Sequence, residues 1–170
     1  MMRKDDVLRR TGTDWVVEGV TIACVVAILV SFGFYGHIDA DEAFPMHYNA
    51  AGEVDGWGTR FALWIFGGIA LAVCLLLTIG ERFYKKFNYP VRVTEKNREW
   101  LWRLAVRMFR VVKMVIMLFF TYIQYAGIWV ALGHGGGIGR HMSTVFMAVL
   151  FVVVLGFVGK MYAIRKGEGD

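Results

Sequence analysis

The chain has 170 residues, 57% of them hydrophobic, with 19 Lys and Arg against 14 Asp and Glu. Its apolar residues gather in blocks of about 20, the length that crosses a bilayer, which excludes an ordinary soluble domain. The blocks lack two-residue alternation, which excludes a membrane β-barrel.

The net charge of +5 is spread unevenly. Basic residues stand at Arg3, Lys4, Arg9 and Arg10, cluster between the second and third apolar blocks, and return at Lys160, Arg165 and Lys166. The other two inter-block loops carry one each, Arg60 and Arg140. That asymmetry is the positive-inside pattern. It assigns both termini and the middle loop to the cytoplasm and makes the basic residues partners of anionic membrane lipids rather than of nucleic acid. The fold class expected is all-α integral membrane: four transmembrane helices in an antiparallel bundle, with a structured first outer loop.

Residues 1–14 form a charged cytoplasmic tail, with Asp14 expected to cap the first helix. Residues 15–35 are the first span, too long for a signal peptide and followed by no small-residue cleavage site. Trp15 and Tyr35 mark its two interfaces, and Ala23 and Ala27 form a small-residue pair. Residues 36–60 are the first outer loop, with five acids and one base. His37, Asp39, Asp41 and Glu42 lead into Phe44-Pro45-Met46-His47-Tyr48-Asn49-Ala50-Ala51-Gly52-Glu53-Val54-Asp55-Gly56-Trp57-Gly58. Pro45 stiffens the entry. Gly52 and Gly56 mark turns, and Asp55-Gly56 is a strong turn dipeptide.

Residues 61–80 are the second span, with Gly67, Gly68 and Ala72 suggesting a tightly packed face. Cys24 and Cys74 fall inside the first two spans and read as core thiols rather than a disulfide. Residues 81–110 are the basic cytoplasmic segment. Within it Leu101, Leu104, Ala105, Met108 and Val112 follow helical spacing, with Arg98, Arg103, Arg107 and Arg110 elsewhere on the wheel. Thr94 is the expected N-cap, with Asn97 where a capping box has Glu or Gln. Whether 95–132 make one continuous helix stays open. Residues 111–132 are the third span, where Gln124 should face the bundle. The Gly- and His-rich loop at 133–141 reads as mobile. The fourth span is 142–162, and 163–170 is a cytoplasmic tail.

All four histidines fall on the outer side. His47, Glu53 and Asp55, with His134 or His141 from the second outer loop, have the ligand chemistry of zinc. No fixed helical spacing supports a preformed metal site, and solvated histidines paired with carboxylates are the competing reading. Nucleophilic catalysis has only Thr59, Ser143 and Thr144 to draw on outside. No block carries an ionisable residue at its centre, which weighs against a transporter.

The motif Pro45-x-His47-x-Asn49-x-x-Gly52-x-x-Asp55-Gly56-x-x-x-Arg60 resembles that of the SdpI-like membrane proteins, whose first outer loop is domain of unknown function 1648. Arg60 stands where that family usually has Lys. Phe87-Asn88-Tyr89-Pro90-Val91 and Thr94-Glu95-x-Asn97-Arg98 also resemble the family's cytoplasmic segment. The resemblance covers roughly residues 23–110. It implies a bacterial plasma-membrane protein, and some members confer immunity to a secreted peptide toxin and signal to a repressor.

The expectation is therefore a non-enzymatic receptor or immunity-type protein. His47, Asn49, Asp55 and Arg60 would bind a peptide, lipid headgroup or ion, and Pro45, Gly52 and Gly56 would shape the loop. Partners expected are membrane lipids, a peptide toxin or lipid ligand, and a second copy or another membrane protein. No cofactor is expected beyond a divalent metal such as zinc. A metal-dependent enzyme acting on an outer-face lipid or cell-wall precursor, and a small oligomeric transporter, are the alternatives.

Overall fold

The structure, a computed structural model, describes residues 7–39 and 44–166, without the side chains of 165 and 166. The acids Asp41 and Glu42, and the basic residues Arg3 and Lys4, lie outside the described residues.

Helix α1 spans Gly12–Ser31 and continues as a 3-10 turn, Phe32–His37. Strands β1, Phe44–Tyr48, and β2, Val54–Gly58, follow. Helix α2 spans Ala62–Gly80, ending in a second 3-10 turn, Glu81–Lys86. Helix α3 runs unbroken over Arg98–Ala131, and α4 spans Met142–Lys166. The class is helical membrane protein. Among the described residues, three helical stretches are long and apolar enough to cross a membrane: Gly12–His37, Ala62–Lys86 and Met142–Ile164. The expectation of an all-α chain is corrected at one place, where β1 and β2 pair as an antiparallel hairpin between α1 and α2. Its turn chemistry is strong, and it has a helix end to pack on.

Helix α3 is the axis of the molecule. It packs against α1, α2 and α4, while α1 and α2 touch each other little. The chain runs up α1, down α2, up α3 and down α4. The hairpin and the 133–141 loop therefore share one end, and the basic segment the other. At the hairpin end Ile38, Phe44, Ala62, Leu63, Ile128 and Ala131 form one buried cluster. Midway, Cys24, Ile28, Ala70 and Met117 form another, with Cys74 against it and both thiols free.

Gln124 faces the bundle interior, 1% exposed. Its amide donates to Ser31 Oγ at 3.0 Å and to the Leu63 carbonyl at 2.9 Å, tying three helices together. The close approach of α2 falls on Gly67 and Ala70, both buried. Gly68 and Ala72, the pair singled out from sequence, face outward.

Helix α4 packs on α3 through Phe146, stacked on Phe119 at 3.9 Å, and leaves most of its surface exposed. Near its inner end Met161 joins Val91, Leu101 and Ala105 in a buried cluster. Tyr84, Val7 and Val106 form a neighbouring one, and Phe87 stacks on Phe109 at 4.6 Å. The basic segment thus folds back on the first turns of α3 as a small packed cap.

Two caps differ from expectation. Thr11, not Asp14, caps α1. The Thr11 N–H and hydroxyl donate to Asp14 Oδ2 at 2.8 and 2.7 Å, while the Asp14 N–H donates back to the hydroxyl. Asp14 is the third residue of a capping box. At α3 the N-cap is Asn97, not Thr94. The Thr94 N–H donates to Asn97 Oδ1 at 2.8 Å and the Asn97 N–H to Thr94 Oγ1 at 3.3 Å. This exchange closes the turn just ahead of α3, whose N-cap is Asn97 without a side-chain cap bond, and the Asn97 amide also donates to the Arg92 carbonyl at 3.1 Å.

At this same end lies a buried ionic network. Arg110, its side chain 3% exposed, reaches Glu81 at 3.3 Å, Asp14 at 3.7 Å and Glu18 at 3.8 Å. It also donates to the Leu8 carbonyl at 2.8 Å. Lys113 reaches Glu18 at 3.3 Å and donates to Thr78 Oγ1 at 3.1 Å. Arg107 reaches Asp14 at 3.3 Å and donates to Thr11 Oγ1 at 2.7 Å. Three carboxylates from α1 and the end of α2 thus face three cations of α3. Buried charges persist only when paired in this way.

Candidate functional site

The hairpin is built around its turn. The Asn49 side chain accepts from the Glu53 N–H at 3.0 Å and donates to Glu53 Oε2 at 3.0 Å. The Asn49 N–H donates to the Glu53 carbonyl, and the Gly52 N–H to the Asn49 carbonyl. Gly52 sits at φ 76°, in the left-handed region that favours glycine. Asn49 is therefore engaged in the turn.

His47 pairs with Gly56 across the strands, with register irregularities on both sides of His47. A Cβ on Gly56 would stand 2.8 Å from the His47 Cβ, so the strands close up only because that position is glycine. This approach brings His47 Nδ1 to 2.5 Å from Asp55 Oδ1. A carboxylate only accepts, so Nδ1 donates, which fixes the ring and leaves Nε2 for a ligand. The pair stands in the open: the His47 side chain is 73% exposed and that of Asp55 44%.

Phe44 fixes the hairpin to the bundle. Its ring packs against Gly127 of α3, where a Cβ would stand 2.8 Å from it. Burying such a ring contributes about 2 kcal/mol. Pro45 is buried beside it. Arg60 donates to the Ile38 carbonyl at 3.1 Å and lies over the Tyr35 ring at 4.7 Å. It straps the two ends of the outer loop together and is spent on structure.

The 133–141 loop is not slack as its composition suggests. Gly137 bridges Glu53 in antiparallel fashion. The Ile138 N–H donates to the Gly52 carbonyl at 2.9 Å and the Val54 N–H to the Gly136 carbonyl at 3.4 Å. Ile138 is buried, and its carbonyl accepts from Tyr122 Oη at 2.7 Å. One large apolar residue among glycines was the signal that this loop is anchored. The hairpin turn and the 133–141 loop thus form one patch, joined by an isolated bridge and two backbone hydrogen bonds that glycine permits.

The metal set expected from sequence is not brought together. Among the described residues no three of His, Cys, Asp and Glu form a group that could hold a metal ion. His134 lies against the Trp129 ring at 4.7 Å, and His141 is exposed where α4 begins. His37 is exposed near Phe34.

Tyr48 went unnoticed in the sequence. Its hydroxyl is buried under the patch with no hydrogen-bond partner among the described residues. Burial, with Tyr122 nearby, pushes this phenol from the ordinary 10 up to about 12. The folded state therefore holds the proton more tightly than the unfolded chain. The stability tied to the neutral phenol is complete below pH 10 and is lost as pH rises through about 12. Tyr48→Phe should leave folding nearly unchanged and remove one late step from the ultraviolet tyrosinate titration. A variant that titrates as the parent does would show that Tyr48 is not buried.

Comparison with known families places this geometry. Residues 22–71 match the model described as domain of unknown function (DUF1648). This stretch is similar to that domain. It begins in α1, takes in the whole hairpin and ends midway along α2. Its motif is largely a folding device, since Pro45, Asn49, Gly52, Gly56 and Arg60 all serve the shape of the hairpin. Only the pair of His47 and Asp55 is left as exposed chemistry. The match stops short of the basic segment at 81–110, and α3 and α4 lie outside it. No curated protein and no solved structure matches the chain.

Proposed function

We propose that this multi-pass protein is a non-enzymatic receptor of the immunity type, which captures a ligand on the outer face of a bacterial plasma membrane. The observation that carries the reading is the DUF1648 hairpin with its single exposed imidazole, oriented by Asp55 at 2.5 Å. Other motif residues are engaged in holding it there. A peptide carrying a carboxylate or hydroxyl, or a lipid headgroup, would meet Nε2 of His47.

A four-span topology with cytoplasmic termini goes with this reading. Helix α3 has 34 residues, or about 51 Å at 1.5 Å per residue, against a hydrocarbon core of about 30 Å. Its apolar half, up to Ala131, would cross, and its Arg-rich first turns would stand in the cytoplasm. The lone Arg60 and Arg140 of the opposite end fit the outer side.

The test is survival of expressing cells challenged with peptide fractions secreted by the source organism. His47→Ala and Asp55→Asn should each abolish protection at unchanged protein level. Protection that persists in His47→Ala would end the reading. A histidine held by a carboxylate is also a frequent metal-ligand arrangement, which favours the metal enzyme as second reading. Stoichiometric zinc retained by purified protein, and lost in His47→Ala, would move the assignment there.

A further inference from the structure

The end of the molecule away from the hairpin holds a cavity of about 660 Å³. It lies between the chain leading into α1 and the first turns of α3. Five guanidinium groups line it: Arg9, Arg10, Arg103, Arg107 and Arg110. Only two carboxylates do so among the described residues, Asp14 and Glu99. Arg107 and Arg110 are engaged by Asp14, Glu18 and Glu81, and Arg10 lies 3.7 Å from Glu18, yet among the described lining residues the guanidinium groups outnumber the carboxylates. Asp14 is already engaged by Arg107, Arg110 and Thr11.

The cavity was not legible from sequence. Arg9 and Arg10 read as tail residues, and Arg103, Arg107 and Arg110 as the basic side of an amphipathic helix. Their convergence follows from α1 and α3 packing side by side, with the Leu8 carbonyl held by Arg110 at 2.8 Å. Its rim is amphipathic. Trp100, 70% exposed, lines it, and Trp15, 62% exposed, carries Arg10 on its ring at 5.2 Å. Exposed tryptophans beside a span mark the headgroup level. Leu104 and Val7 add an apolar part to the wall.

We propose that this cavity binds a phosphate ester, the headgroup of an anionic phospholipid of the adjoining leaflet. Guanidinium forks match phosphate oxygens in pairs, and basic pockets between membrane helices take such headgroups. The volume lies in the range of small-ligand sites. The site is independent of the outer hairpin, and either reading can fail without the other.

The experiment uses the full chain in neutral detergent, with native mass spectrometry and thermal unfolding as readouts. The probes are phosphatidylglycerol, phosphatidylcholine and inorganic phosphate. Phosphatidylglycerol should stay bound at one per chain and raise the unfolding temperature, and phosphatidylcholine should do neither. Arg9→Gln combined with Arg103→Gln should weaken retention at least tenfold. Arg82→Gln with Lys85→Gln, outside the cavity, should not. Inorganic phosphate that displaces the lipid and stabilises equally would keep the phosphate site but assign it to a free anion. Equal retention of phosphatidylcholine would overturn the proposal. So would loss of retention in the Arg82 and Lys85 variant with none in the Arg9 and Arg103 variant.

Discussion

Arg110→Met is expected to destabilise the protein by about 3–5 kcal/mol, the usual cost of removing one partner from a buried ion pair. The guanidinium stands among Glu81, Asp14 and Glu18 and donates to the Leu8 carbonyl. Methionine fills much of the same volume, so the loss is one of charge more than of packing. Glu81 suffers most, because Asp14 keeps Arg107 and Glu18 keeps Lys113. Adding Glu81→Met should therefore restore a large part of the stability, since an apolar pair can replace a buried ionic one at little cost. Unfolding in detergent at fixed composition, for the two single variants and the double, gives the coupling directly. Additive losses would show that Arg110 and Glu81 are not a buried pair.

Gly52→Val is the second large effect, expected at roughly 2–4 kcal/mol from left-handed backbone strain and lost hydrogen bonds together. Gly52 lies at φ 76°, and a Cβ there would run into the Gly139 carbonyl. The substitution should part the hairpin from the 133–141 loop while the bundle stays folded. Amide exchange reads this at two positions. The Ile138 and Val54 N–H groups, which reach across to Gly52 and Gly136, should lose protection. Amides at the middle of α2 should keep theirs. Unchanged protection at Ile138 would show that the loops are not joined through Gly52.

These two variants probe opposite ends of α3 and different kinds of sequence signal. At the hairpin end Asp55-Gly56 and Gly52 announced a folded turn, and a turn is decided by residues within a few positions of one another. That the 133–141 loop completes the patch was not legible, because its glycines read as slack until something packs on Ile138. At the other end Arg107 and Arg110 read as the basic side of an amphipathic helix. Their carboxylate partners, Asp14 and Glu81, lie 93 and 29 residues away in the chain, and no local pattern reports such a pairing. Glu18 and Lys113, each near the end of a bilayer-length apolar block, were the available hint, since charge in that setting requires a partner.

By itself the sequence determined that this chain is a helical membrane protein with a shaped polar loop carrying His47 and Asp55. Bilayer-length apolar blocks and turn dipeptides are local properties, and they survive whatever the rest of the chain does. Only the tertiary structure decided that α3 is the axis, that two loops make one patch, and that arginines from two distant segments face one cavity. Those facts depend on which surfaces meet. Surfaces meet according to side-chain shape and charge across segments up to about a hundred residues apart, a separation over which hydropathy and spacing carry no information.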